Sequence, residues 1–176
     1  MTSLVGQAYL EMSEDEHINV DMLWQLIGVD AERVRKRAIT VSMGQAHFRV
    51  MSPLDVLGSR LHNIHELQDK QNEKGEMQLR LAIDVVRAFV REEAAKYVDE
   101  LASGRSPVQG LVSEIEKLAV DDAGRKVAAR HGVHVADAID PSLIPAGPFW
   151  TKRWPKLKGL MSHDYSATFK PPENSN

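Results

Sequence analysis

The sequence contains no cysteine. Disulfide bonds, thiolate zinc sites and cysteine nucleophiles are therefore excluded, so any bound metal must take carboxylate, imidazole or amide ligands. No window approaches the roughly 20 apolar residues that a membrane-spanning helix needs, and the N-terminus lacks a basic region followed by an apolar run. These absences predict a cytoplasmic protein without a membrane partner.

The net charge is also small, at −3. Bulk attraction to nucleic acid is therefore not expected, which leaves only a local basic patch as a way to bind it. What the chain does have is a balanced composition, with 43% hydrophobic and 27% charged residues, which is typical of a folded protein. Its 176 residues suffice for one domain with its own core.

The first third of the chain shows strand patterns. "HINVDML" at 17–23 alternates apolar and polar residues, which predicts a half-buried strand. A short helix capped by Asp30 follows. The runs "AITVSM" and "AHFRVM" then predict a hairpin, because Gly44-Gln45 between them suits a type II′ turn.

The rest of the chain shows helix patterns. Ser52 as N-cap and Pro53 at the first position predict one helix, and a long apolar stripe predicts a second over 76–102, preceded by a loop that ends in Gly75. Ser106-Pro107 starts a third helix, and Gly132 ends a short fourth one. The pattern loosens after residue 140.

These elements predict an α+β fold in which a small mixed or antiparallel sheet of about three strands precedes about four helices. Residues 1–52 form the β part, 53–163 form a helical part packed on it within one domain, and 164–176 are expected to be a disordered tail.

One candidate site lies on the predicted strand at 17–23. His17, Asn19 and Asp21 share one face, and oxygen ligands of this kind bind Mg²⁺. A polar residue on the open face of an edge strand would give the same pattern.

A second candidate site surrounds the loop before the long helix. It gathers cationic and amide side chains that could bind a phosphate by charge and hydrogen bonding, namely Arg60, His62, Asn63, Lys70, Lys74, Gln78 and Arg80. A solvated turn between two helices would look the same, so the pattern leaves both interpretations open.

The runs "INVDML", "GVDAERVRKRAI", "FRVMSPLDVLGSRLHNIHEL" and "DKQNEKGEMQLRLAIDVVRAFV" are similar to the C-terminal half of bacterial nucleotidyltransferase-like proteins of the polymerase-beta superfamily. That family is related to the AbiEii-type toxins of toxin-antitoxin systems and to minimal nucleotidyltransferases. The resemblance covers roughly residues 5–100, and more faintly "PFWTKRWPKL".

The resemblance implies Mg²⁺-dependent transfer of a nucleotide from a nucleoside triphosphate to an acceptor hydroxyl. Asp21 would be the third carboxylate, orienting the hydroxyl and one metal. The lysines of the loop would lie near the phosphates, and Arg60 and Asn63 would line the cleft, where cations stabilise charge on the transferred phosphoryl group.

The chain departs from the family in one respect. The Gly-Ser-x-Asp-x-Asp segment that supplies the other two carboxylates does not occur before Asp21, and the only Gly-Ser, Gly58-Ser59, lies in a predicted helix. We therefore expect a truncated or degenerate nucleotidyltransferase that is inactive as this chain alone. The alternatives are a non-catalytic binding or inhibitory protein, as in phage or mobile-element conflict, and an unrelated helical interaction module. Expected partners are a nucleoside triphosphate, a protein, or a second copy through an exposed sheet edge.

Three weaker patterns favour structural roles. His131, His134 and Asp137 have a spacing that could hold a metal but are typical of a helix end. Trp150 and Trp154 lie among basic residues, as in nucleic-acid-binding proteins, although tryptophans that anchor a C-terminal helix are commoner. Serine, histidine and aspartate are all present, but no nucleophile-turn motif places a serine for catalysis.

Overall fold

The computed structural model describes residues 4–11, 13, 17–23, 26–96, 108–144 and 147–169. In this part of the chain the strands precede most of the helices, so the predicted α+β class is confirmed, with helix as the main element. No helix within these ranges is both long enough and apolar enough to cross a membrane.

The strands form two separate antiparallel hairpins. Strands β1, Leu4–Glu11, and β2, His17–Leu23, pair with each other, as do β3, Ile39–Met43, and β4, Ala46–Val50. Helix α1, Ala31–Arg37, lies between the hairpins in sequence. The prediction of one sheet of about three strands is therefore wrong for the described residues, because each strand pairs with its neighbour in sequence and β1 was not predicted.

The second hairpin has the turn that the sequence predicts. Met43 pairs with Ala46, so the turn consists of Gly44 and Gln45. Gly44 has φ +61° and no described residue other than glycine has positive φ, which is the combination found in a type II′ turn.

Seven α-helices follow in the described part of the chain. They are α2, Pro53–Glu66; α3, Glu73–Lys96; α4, Val108–Val120; α5, Asp122–His131; α6, Pro148–Lys152; α7, Trp154–Lys158; and α8, His163–Ala167. Short 3-10 turns lie at Gln68–Lys70, Val135–Ala138 and Pro141–Leu143. The prediction of about four helices missed α6 to α8, because helices of five residues are too short to show an apolar period.

Three of the predicted helix caps are present in the described residues. The Ser52 hydroxyl accepts a hydrogen bond from the Asp55 backbone N–H at 3.3 Å, and Asp30 accepts one from Arg33 N–H at 2.7 Å. Gly132 ends α5 with φ +60°, in the left-handed region that glycine favours. Ser106-Pro107 lies outside the described residues.

The start of α3 differs from the prediction. The helix begins at Glu73 rather than at 76, and the Asn72 side chain caps it by accepting the Gly75 N–H at 3.0 Å. Gly75 is therefore in the first turn of the helix and not in a loop. It is buried against the Lys70 carbonyl, where an added Cβ would lie 1.9 Å from the oxygen, so this position needs glycine for close approach. The predicted end at 97–102 lies outside the described residues.

The core lies between α2, α3, α4 and the segments that follow them. Leu57, Leu61 and Leu79 are fully buried at the α2–α3 contact. Trp150 and Trp154 are also buried, and their ring centroids lie 5.2 Å apart. They therefore anchor the C-terminal helices on the core, which was the commoner of the two interpretations of the sequence.

The first part of the expected disordered tail is helical and packed on the core. Residues His163–Ala167 form α8, the Tyr165 hydroxyl donates to the Ile139 carbonyl at 3.1 Å, and the rings of Tyr165 and Phe169 lie 5.1 Å apart. These contacts hold α8 on the core. Residues 170–176 lie outside the described part.

Candidate functional site

A groove of about 470 Å³ runs between the β3–β4 hairpin and helices α2 and α3. Its walls are mostly apolar and include Ile39 and Val50 of the hairpin and Leu81 and Val85 of α3. The groove has the volume and the apolar lining that are typical of small-molecule sites.

Arg60 and Gln78 supply hydrogen-bonding groups to this groove. The Arg60 guanidinium donates to the Gln78 side-chain oxygen at 3.2 Å, and both side chains are half-buried. They meet because α2 and α3 pack as an antiparallel pair joined by a short connection over 67–72. The hydrogen bond fixes one part of the guanidinium and leaves its other N–H donors available to a ligand.

Along α3 the apolar wall of the groove is followed by Gln78 and then by Lys74, which is not among the residues that line the groove. Lys74, Gln78, Leu81 and Val85 recur at helical spacing, so they form one stripe along α3. Leu81 and Val85 lie near the hairpin, whereas Lys74 lies one turn before Gln78, and its side chain is exposed. A ligand with an apolar ring and an anionic group would match this order.

The other predicted residues of this site take different places. Asn63 lies one turn after Arg60 on α2 and is half-buried. Lys70 lies in a 3-10 turn and forms an ion pair with Asp69 at 3.3 Å. Arg80 is exposed and, two residues from Gln78, projects from another face of α3. His62 contacts Glu66 at 3.1 Å. The structure therefore brings Arg60 and Gln78 together in the groove and leaves Arg80 outside it.

The apolar walls of the groove were missed by the sequence interpretation. Met77, Leu81 and Val85 are each separated by four residues and form a second apolar stripe on α3, outside the stripe that enters the core. This spacing was a usable signal. Its partner on the hairpin could not be recognised, because nothing in the sequence tells which helix the hairpin lies against.

Asp21 lies in β2, as predicted, opposite Gln7 of β1. Its side chain lies outside what the structure describes. His17 and Asn19 of the same strand are opposite Glu11 and Tyr9. Within the described ranges, no group of three or more histidine, aspartate or glutamate side chains could hold a metal ion.

A second pocket, also of about 470 Å³, surrounds the buried carboxylate of Asp55. Arg33 Nε lies 3.2 Å from Asp55 Oδ1, a charge contact without hydrogen-bond geometry. The other oxygen, Oδ2, accepts a hydrogen bond from the Ser52 hydroxyl at 2.8 Å, and Arg37 binds Glu114 at 2.5 Å. These contacts attach α1 to α2 and α4, and thereby position the adjoining β3–β4 hairpin.

The residues of the weaker sequence patterns make structural contacts. His131 contacts Glu76 at 2.9 Å and His134 contacts the Leu160 carbonyl at 3.1 Å, whereas Asp137 accepts the Ser162 N–H at 2.9 Å. The spacing that could hold a metal is therefore not realised as a site. Beside the buried tryptophans, Arg153 forms an ion pair with Glu116.

Two arginines of α3 attach the segment at 137–140 to the helical part. Arg87 donates to the Asp137 carbonyl at 2.6 Å, and Arg91 donates to Asp140 Oδ2 at 2.8 Å. Burial acts to raise the pKa of Asp140, but hydrogen bonds from Ser142 and Arg91 outweigh it, so the pKa lies below its usual value. Asp140 is therefore a charged structural residue.

Comparisons of the chain with profiles of protein families, with curated proteins and with solved structures find no match.

Proposed function

We propose that this protein binds a nucleoside triphosphate in the groove between the β3–β4 hairpin and helices α2 and α3, as a nucleotidyltransferase-like protein. The base would pack on the apolar walls formed by Val50, Leu81 and Val85, and the phosphates would extend toward Arg60 and Lys74. The observation that carries the proposal is the hydrogen-bonded pair of Arg60 and Gln78 in a groove whose other walls are mainly apolar.

The polar groups beside the apolar wall support this class of ligand. A guanidinium held by one hydrogen bond can present its remaining donors to phosphate oxygens. Lys74 adds a mobile positive charge one helical turn away. A purely apolar ligand would leave the buried part of the guanidinium without a partner, which is costly.

The magnesium chemistry of such an enzyme needs more than the described residues provide. Asp21 supplies one carboxylate, and its cross-strand partner is Gln7, which is neutral. Among the described side chains, which do not include that of Asp21, no group of three or more histidine, aspartate or glutamate residues could hold a metal ion. We propose binding without transfer for this chain, with Mg²⁺-dependent transfer only where further carboxylates join Asp21.

Titration of a fluorescent ATP analogue tests the proposal. We expect the wild-type chain to bind it and Arg60→Ala to weaken binding at least about tenfold, because a charge-assisted hydrogen bond is lost. Arg80→Ala is the matched control, since it removes an arginine of α3 that does not line the groove. Equal affinities for the two variants, or no binding by the wild-type chain, would refute the proposal.

A transfer assay with labelled triphosphates and Mg²⁺ separates binding from catalysis. We expect no transfer by this chain alone. Transfer that disappears in Asp21→Ala would overturn the non-catalytic part of the proposal and assign Asp21 as a catalytic residue.

A further inference from the structure

The β3–β4 hairpin exposes an apolar face. Ile39 pairs with Val50, Val41 with Phe48, and Met43 with Ala46, so these six side chains share one face of the two-stranded sheet. Every residue of both strands is exposed, and Met43 is 69% exposed. A two-stranded sheet with a partly exposed apolar face is marginally stable by itself, and it gains from additional strands.

The two edges of this hairpin differ in chemistry. Strand β3, "ITVSM", carries no charge and no proline, and its register with β4 is regular. Strand β4, "AHFRV", carries His47 and Arg49. Charged residues, prolines and bulges are the devices that protect strand edges from pairing, so β3 is the unprotected edge. Apart from β4, no strand in the described ranges pairs with β3.

The register fixes which groups of β3 can pair outward. A two-residue turn makes Met43 and Ala46 a hydrogen-bonded pair, and bonded and non-bonded pairs alternate along an antiparallel hairpin. Val41 and Ile39 therefore use their N–H and C=O groups within the hairpin. Those of Thr40 and Ser42 point outward and are available to another strand.

We propose that two copies of this chain associate by pairing β3 with β3 in antiparallel orientation. The outward backbone groups allow a symmetric register. In it, the N–H and C=O groups of Thr40 pair with those of Ser42 in the second copy, and those of Ser42 pair with those of Thr40 in the second copy. Val41 then lies on the two-fold axis opposite itself. The result is a continuous four-stranded sheet without a like-charge contact between the two β3 strands.

This register also covers apolar surface. Met43 comes to lie opposite Ile39 of the second copy, and Ile39 lines the groove beside Leu81 and Val85. Ile39, Val41 and Met43 of β3 are 39%, 38% and 69% exposed, and in this register they contact the same three side chains of the second copy. A second copy therefore suits the β3 edge in both hydrogen bonding and apolar contact.

A matched pair of proline variants tests the pairing by sedimentation over a range of protein concentrations. Ser42→Pro removes an outward N–H from β3, and His47→Pro removes the corresponding N–H from β4. Both variants lose the same side-chain hydrogen bond between Ser42 and His47, which spans 2.9 Å. We expect the wild-type chain and His47→Pro to dimerise, and Ser42→Pro to dissociate at least about tenfold more readily.

Cysteine variants test the register, because the natural chain has no cysteine. The Cα atoms of a non-hydrogen-bonded pair are about 4.5 Å apart, which permits a disulfide. Val41→Cys should form a covalent dimer on mild oxidation, and Phe48→Cys should not. A monomeric wild-type chain, equal dissociation of both proline variants, or equal cross-linking of both cysteine variants would overturn the inference. None of these measurements depends on nucleotide binding.

Discussion

The helical part and the β3–β4 hairpin of this protein differ in how far their apolar side chains are removed from water. In the helical part, side chains such as Leu57 and Leu61 are entirely removed from water. In the hairpin, all of the residues of both strands are exposed, including Val41 and Phe48. The composition of the strands is as apolar as that of the helices, so the difference lies in what each element packs against.

This contrast shows where the stability and the binding capacity of the chain lie. The helical part is stabilised by its own core. The hairpin is held by its hydrogen bonds, by the attachment of α1 to Asp55, and by a hydrogen bond from Arg49 to the Arg35 carbonyl. Its five large apolar residues keep 38–69% of their surface exposed, which leaves them available for a ligand or a second copy.

The largest expected effect comes from replacing one large side chain in each region. We expect Leu57→Ala to lower the free energy of unfolding by about 2–5 kcal/mol, because it leaves a cavity in the core. Phe48→Ala should cost less than about 1 kcal/mol in the monomer. Urea unfolding at low protein concentration measures both. Similar costs for the two variants would mean that the hairpin has a core of its own.

A smaller effect is expected from glycine substitutions within the helical part. Gly75→Ala should cost about 1–3 kcal/mol, because the new Cβ meets the Lys70 carbonyl and the connection between α2 and α3 must shift. Gly110→Ala is the control, since no heavy atom lies within 4 Å of its added Cβ, and a helix gains about 0.5–1 kcal/mol from this change. Thermal unfolding should move in opposite directions for the two variants.

The smallest expected effect is the pH dependence of the stability that Asp140 contributes. The pKa of Asp140 is lowered in the folded chain, so its contribution to stability is present above the unfolded pKa of about 3.9 and is lost as the pH falls through the folded value. At neutral pH, Asp140→Asn should be less stable than wild type by about 1 kcal/mol. The difference should narrow below about pH 4, as urea unfolding at several pH values would show. A difference that does not change with pH would contradict a charged Asp140.

Sequence-based prediction succeeded where a few adjacent residues determine the structure. The N-caps at Asp30 and Ser52, the turn at Gly44 and the helix end at Gly132 each need only local hydrogen bonds or one backbone conformation. It failed at β1, and it failed at the short helices α6 to α8, which are held by contacts such as that of Tyr165 with Ile139.

The candidate site was predicted in part for the same reason. Arg60 and Gln78 were recognised as polar residues near one connection, and the structure joins them by a hydrogen bond. The apolar walls were not recognised, because Val50 and Leu81 meet only through the placement of the hairpin against α3. Arg80 was grouped with them by its position in sequence, but the turn of the helix takes it to another face.

Within the described residues, the sequence by itself determined the α+β class, strands β2 to β4, helices α1 to α5 and the caps at Asp30, Ser52 and Gly132. Short-range sterics and hydrogen bonds suffice for these features, because they act within one or two turns of chain. Only the tertiary structure decided that Gly75 is needed for close contact with Lys70, that Asp55 is a buried anchor, and that the hairpin leaves its apolar face and the β3 edge open. Such contacts join residues that lie apart in sequence, and packing alone selects them.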